Sequence, residues 1–410
     1  MAELVDPPFS ATASYATLSY LEPHQVPRWS ATYLAAASVG LMWSMQMNVR
    51  IIGDRIGSTS TGTGIAELSL ASAMLFVGKF AGSIVVLFGF PDAVQQPGRA
   101  AICFVGGGLA QASIAVTYFW GADDDAPWTT GLGPLMIAFF AAGLARCVTE
   151  SVIFSYVSFF GSSTKPWIVA GFAVGFQLTG VIGYALYAWF GATVFIVRAV
   201  FLFMAACSIG AGVCVLWGLA RKSEDGVPMS SLVPFETRAD TWRHACQWRR
   251  WLPRIREHCV CIALATFVTS VVSGMVQLIY VDRAGFEVLP GYTMSENSFM
   301  ACYSFVSFVT SIAASSMFTK VKRPLLLGGI AGVVALLLAA SRVPLLATIS
   351  GGASYFAYML LSGAGSTDID QRVDPEHNLI TTTVWLAFTC FGCVAGSACS
   401  GSVAWILLNL

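Results

Sequence analysis

Eleven apolar runs, most of them longer than twenty residues, alternate with short polar breaks along the chain. We place them at 31–52, 65–90, 99–120, 131–160, 166–190, 192–219, 257–281, 295–318, 324–341, 343–363 and 378–408. A helix rises about 1.5 Å per residue, so roughly twenty residues cross about 30 Å of hydrocarbon. Inside a bilayer the backbone has no water to bond. Each run must satisfy its own amide groups as a helix. The fold class follows: all-α, a polytopic membrane protein of about eleven transmembrane helices. Composition agrees. Hydrophobic residues make up 56% of the chain and charged residues 11%, against about 25% charged in soluble domains.

The fourth run, Gly131–Phe160, carries Arg146 and Glu150 near its middle. Charges at that depth cost about 2.5–3.5 kcal/mol each on insertion scales, and they face protein or a water-filled cavity, not lipid. Four residues apart, the two share a helix face and can neutralise each other. Lys79 lies mid-way along the second run, Gln111 along the third and Gln177 along the fifth. These groups share one depth, which is where transporters place substrate sites, between two helical halves. Two cations and one carboxylate sum to one positive charge. That suits an anionic or zwitterionic solute, or a proton-coupled step on Glu150. The bland alternative is that Lys79 pairs with Glu150 and the trio only holds the bundle together. Trp43 and Asn48 in the first run, Tyr303 in the eighth and Tyr355 in the tenth complete the candidate substrate-binding residues. Tyr358 joins Tyr355 on the same wall. The C-terminal runs carry no mid-span charge, so their share of a cavity is aromatic and hydroxyl-bearing.

The loops give organisation and orientation. Fifteen basic residues fall on the side that holds the N-terminus and four on the other, with Lys79, Arg146 and Arg198 inside runs. Basic loops stay cytosolic, so the N-terminus is expected there. The layout is a tail (1–30), a six-helix half (31–219), a loop (220–256) and a five-helix half (257–410). Within the loop, Trp248, Trp251, Leu252 and Ile255 fall on one helical face among arginines, which predicts a short interfacial helix kinked at Pro253. The tail lacks the basic-then-apolar pattern of a cleaved signal peptide. The eleven cysteines are scattered, and Cys390 and Cys393 lie inside the last run as packing residues. No HExxH or paired CxxC occurs, so no metal and no cofactor are expected. Zero net charge argues against a nucleic-acid partner. No His lies clearly inside a run, which argues against an intramembrane enzyme.

Ser350–Ser397 holds Gly351-Gly352-Ala353-Ser354-Tyr355, then Pro375-Glu376-His377 ahead of a final Thr/Gly/Ser-rich run. This resembles the battenin family, with its GGA-x-Y, Glu-His and last-span pattern. Gly143-Leu144 with Thr149 and Phe154, and Tyr303–Ser316 before the basic turn Lys320–Arg323, are similar to two further battenin segments. Two departures stand out. Arg146 occupies the place of a family Glu, and the arginine of the SRSS segment is missing from Ser311–Ser316. The six-plus-five layout also resembles equilibrative nucleoside transporters. The resemblance implies a major-facilitator-like bundle, a small polar solute, alternating access, and for battenin a lysosomal or vacuolar membrane. From another class, a non-transporting subunit of a membrane assembly would show lipid- or partner-facing spans, no continuous polar cavity and tight co-purification with other chains.

Overall fold

The computed structural model describes residues 64–409 except 93, 95, 120–131, 159–164, 192, 221–236, 281–285, 290 and 342, together with helical residues 36, 39 and 40. The chain is a bundle of long helices. In order they are α1 (Gly64–Ile84), α2 (Gln96–Phe119), α3 (Leu132–Ser158), α4 (Lys165–Ala173), α5 (Thr179–Phe190), α6 (Val194–Ala220), α7 (Arg238–Cys246), α8 (Trp248–Tyr280), α9 (Glu296–Met317), α10 (Pro324–Ala340), α11 (Pro344–Arg372) and α12 (Asn378–Asn409). Wide π turns close α1 (Val85–Gly89) and join α4 to α5 (Val174–Leu178). Among the described residues eight helices are long and apolar enough to cross a membrane, and two shorter apolar ones accompany them. Ten of the predicted runs are therefore helical. The first, 31–52, lies mostly outside the described residues.

Helix ends fall where the local chemistry puts them. Gly191, between α5 and α6, has φ +77° and makes the tight turn that a side chain resists. Pro324 and Pro344 open α10 and α11 at the helix start, where a missing N–H costs nothing. Thr237 and Asp240 form a reciprocal capping box on α7. A two-stranded hairpin, β1 (Phe286–Leu289) with β2 (Tyr292–Met294), turns through Gly291 at φ +80°.

The loop differs from the sequence expectation. The basic segment is not a separate interfacial helix. It forms the first turns of α8, which runs unbroken through Pro253 to Tyr280. Its apolar face is divided: Trp251 and Ile255 are buried, Leu252 is half-buried and Trp248 is exposed. The reason is protein packing. Trp251 donates its indole N–H to the His244 carbonyl (3.0 Å), and its cluster includes Phe318, Ile369 and Val373.

α7 touches both ends of the chain's fold. Its first residue, Arg238, donates its backbone N–H to Asp92 (3.0 Å) and its Nε to the Phe90 carbonyl (2.8 Å), just after α1. Trp242 packs edge-on to Phe88. At its other end Gln247 bonds His377 (2.8 Å), and the His244 and His377 rings lie 5.1 Å apart.

Packing sorts the helices into two groups. In the first, α1 lies against α3, and α2 lies against α3 and α6. In the second, α8 lies against α12, and α11 against α8, α9 and α10. The groups meet along two seams: α12 on α1 and α3, and α4–α5 on α9, with α4 also on α11. Small residues permit the close approaches. A Cβ on Gly78 would run into the Phe140 carbonyl, and one on Gly143 into that of Leu75. Gly392 and Gly396 play the same part between α12 and α8. Large apolar side chains such as Ile137, Phe195, Leu337 and Phe391 point outward, as a lipid-facing surface requires.

Candidate functional site

The Gly78–Gly82 spacing on α1 is a small-xxx-small pair, and Gly143 answers it from α3. The backbones come so close that Lys79 is delivered directly to α3. Its Nζ lies 2.8 Å from Glu150 Oε2, while Arg146 Nε lies 2.5 Å from Glu150 Oε1. One carboxylate thus bridges two cations, one from a neighbouring helix and one from its own preceding turn. Lys79 is 1% exposed, Glu150 3% and Arg146 7%. Desolvating three charges is costly, and only close pairing offsets it.

This trio sits at a seam between the helix groups. Cys390 and Cys393 of α12 and Tyr358 of α11 lie within electrostatic reach of it. Ser83 and Cys147 flank it at 3.3 Å from each other. Tyr355, one turn before Tyr358 on α11, packs its ring on Phe176 (centroids 5.4 Å apart) and turns its hydroxyl toward Gln177. Tyr303 of α9 faces Ser273 and lies against Gly351. A polar line therefore runs from the ionic trio through Tyr358 and Tyr355 to Gln177 and Tyr303. It crosses from the first helix group to the second.

Gln177 stands on the π turn between α4 and α5 and is fully buried. Such turns widen the helix locally and are frequent at functional sites. Ser304, Ser307 and Ser311 on α9 are equally buried. Gln111 is fully buried on α2, whose partners are α3 and α6, and neither of its amide atoms is hydrogen-bonded among the described residues. Nothing places it at the ionic trio. Trp43 and Asn48 lie outside the described residues. The sequence reading brought together Lys79, Arg146, Glu150, Gln177, Tyr303 and Tyr355. It missed the α1 glycine pair, legible as G-K-F-A-G, and the π turn, which has no sequence signature.

Among the described residues no group of three His, Cys, Asp or Glu side chains could hold a metal. Cys390 and Cys393 are buried free thiols.

No family model matches the chain, and no curated protein matches it. Solved structures do. One is a Major Facilitator Superfamily transporter, FucP, in the outward conformation. It is 14% identical, over 90% of this chain and 91% of that one, with a TM-score of 0.58. Another is the MFS proton:xylose symporter XylE bound to 6-bromo-6-deoxy-D-glucose. It is 12% identical, over 92% of this chain and 90% of that one, with a TM-score of 0.59. The fold is that of a polytopic major-facilitator-like bundle.

Proposed function

We propose that the chain is an alternating-access transporter for a small polar organic solute carrying an anionic group. The observation that carries this is the buried Lys79–Glu150–Arg146 trio, one carboxylate shared by two cations, at a seam between two helix groups. A buried ionic cluster at a seam is solvated differently each time the seam moves, and an anion that enters with water exchanges with the shared carboxylate. Two structural relatives are described as transporters, one of them a proton symporter, which supports transport and a proton as coupling ion. In this reading Arg146 and Lys79 hold the anionic group. Glu150 competes with that group for both cations and takes up the coupling proton. The six-helix and five-helix halves rock about the seams, with the N-terminus in the cytosol. A battenin-like role in a lysosomal or vacuolar membrane rests on the Ser350–Ser397 resemblance and the two similar segments at Gly143–Phe154 and Tyr303–Ser316.

The test is uptake of radiolabelled organic anions into proteoliposomes holding the purified chain, with and without a pH gradient. Saturable uptake lost in Arg146→Gln supports the reading. A Glu150→Gln variant should lose its response to the pH gradient. Wild-type uptake in Arg146→Gln would assign the trio to the scaffold.

A further inference from the structure

Three serines on α9 behave unlike their neighbours. Thr310, Ser315 and Ser316 return their hydroxyls to backbone carbonyls of the preceding turn. This is how a hydroxyl inside a transmembrane helix is ordinarily satisfied. Ser304, Ser307 and Ser311 do not. Each is fully buried, and no described residue bonds its oxygen. Their spacing of three and four puts them on one helix face. Val306 and Thr310 lie on another, against Gly352 of α11. The rest of the buried arc of α9 meets α4, the π turn and α5. Close packing alone would be served by alanine, so hydroxyls left unbonded along this face need another explanation.

A second, independent observation lies across the same seam. Gln177, on the π turn, is fully buried and closes no hydrogen bond with either amide atom, although the Tyr355 hydroxyl is turned toward it. The Tyr303 hydroxyl is also buried and faces Ser273 without closing a bond of good geometry. Amide and hydroxyl groups of this kind both donate and accept. Arrayed on both sides of one seam, they match a ligand rich in hydroxyls, each of which also donates and accepts. Tyr355 and Tyr358 connect this array to the ionic trio.

We infer that Gln177, Tyr303, Ser304, Ser307 and Ser311 form a second subsite, and that the solute is a hydroxylated organic anion of the sugar-acid class. Its anionic head sits at Lys79 and Arg146, and its hydroxyl-bearing body lies between α9 and the π turn. This rests on the proposed function for the head and adds the body. A solute lacking hydroxyls leaves the subsite unpaired, so discrimination is large where a site is built to bond hydroxyls.

The experiment measures binding to the purified full-length chain, by ligand-induced shift of its thermal unfolding, for gluconate, hexanoate and glucose. Wild type should bind gluconate at least tenfold more tightly than either of the others. The Ser304→Ala/Ser307→Ala/Ser311→Ala variant, and separately Gln177→Leu, should bring gluconate down to the level of hexanoate and leave hexanoate unchanged. Arg146→Gln should weaken both anions and spare glucose. Equal binding of gluconate and hexanoate by wild type would overturn the second subsite. If that binding still depended on Arg146, the ionic site would stand. Glucose binding without anion binding, or no binding of either anion, would overturn the anionic reading and this inference with it.

Discussion

Removing Glu150 should be far more damaging than removing either of the cations it bridges. At 2.8 Å, Lys79 and Glu150 attract by about 6 kcal/mol at an effective dielectric of 20, and the Arg146 pair is of similar size. Desolvation consumes most of this, so the pairs add little net stability. What matters is the charge left behind. Arg146→Gln leaves a matched Lys79–Glu150 pair. Lys79→Gln leaves a matched Arg146–Glu150 pair. Glu150→Gln takes the shared carboxylate from two buried cations at once, and breaking a buried pair in this way costs about 3–5 kcal/mol. That lowers the folded-to-unfolded ratio by between two and four powers of ten. The triple variant Lys79→Met/Arg146→Met/Glu150→Gln removes these three charges together and should recover most of the loss. The assay is unfolding in detergent micelles, followed by tryptophan fluorescence. The reasoning fails if Arg146→Gln is as destabilising as Glu150→Gln, or if the triple variant is worse than the single one.

Two further outcomes are expected. Gly78→Ala forces a methyl into the Phe140 carbonyl and should cost about 1–3 kcal/mol as overpacking. Gly106→Ala and Gly329→Ala meet nothing within 4 Å and should be neutral or slightly stabilising in the same unfolding assay. The contact between α7 and the Pro375–His377 turn should loosen in acid. Burial lowers the pKa of both His244 and His377 from the usual 6.5, against the opposing pull of Glu376 on both, Asp240 on His244 and Asp374 on His377, with Arg243 and Arg250 adding to the lowering. The unfolded chain then binds more protons between those lowered values and 6.5. Stability from this contact is present above 6.5 and falls as the pH drops through the folded values. Protection factors for hydrogen exchange at residues 238–247 and 375–378, taken against the intrinsic rate at each pH, should fall as the pH drops below about 6.5. His377→Gln should halve that fall or more, and an unchanged fall would reject the assignment.

The fold was open to reading because hydrocarbon imposes a strict rule. Apolar runs such as 99–120 and 192–219 can only be helices, and their breaks fall at Gly191 and Pro344 for reasons of backbone geometry. The Arg146–Glu150 pair was legible for the same reason, since charge at mid-depth needs a partner and the two stand one turn apart, while the Lys79–Glu150 pair at 2.8 Å is the one that the bland alternative expected. The basic segment after Thr241 was harder. Its apolar face looks the same whether it rests on lipid or on protein, and only the buried Trp251 and the His377 turn decide for protein. The π turn at Gln177 was not legible at all. One extra residue in a helical turn depends on how α4–α5 meets α9 and α11, not on the identity of Val174–Leu178. The unbonded serines were visible as composition, but their difference from Thr310 and Ser315 is a matter of orientation.

The bridging position of α7 has a consequence for how salt acts on the protein. Its hold on the second helix group is buried: the indole of Trp251 is 6% exposed and His377 1%. Its hold on the first group is wet, since Arg238 and Asp92 are 49% and 51% exposed where they meet. Any parting of the two groups at that end must break the wet side first, and α7 then travels with α8 and α12. Exposed ionic contacts weaken once the screening length falls to a few ångströms. Under the proposed function, ionic strength on that face therefore biases which way the bundle stands open, without any ion entering the seam.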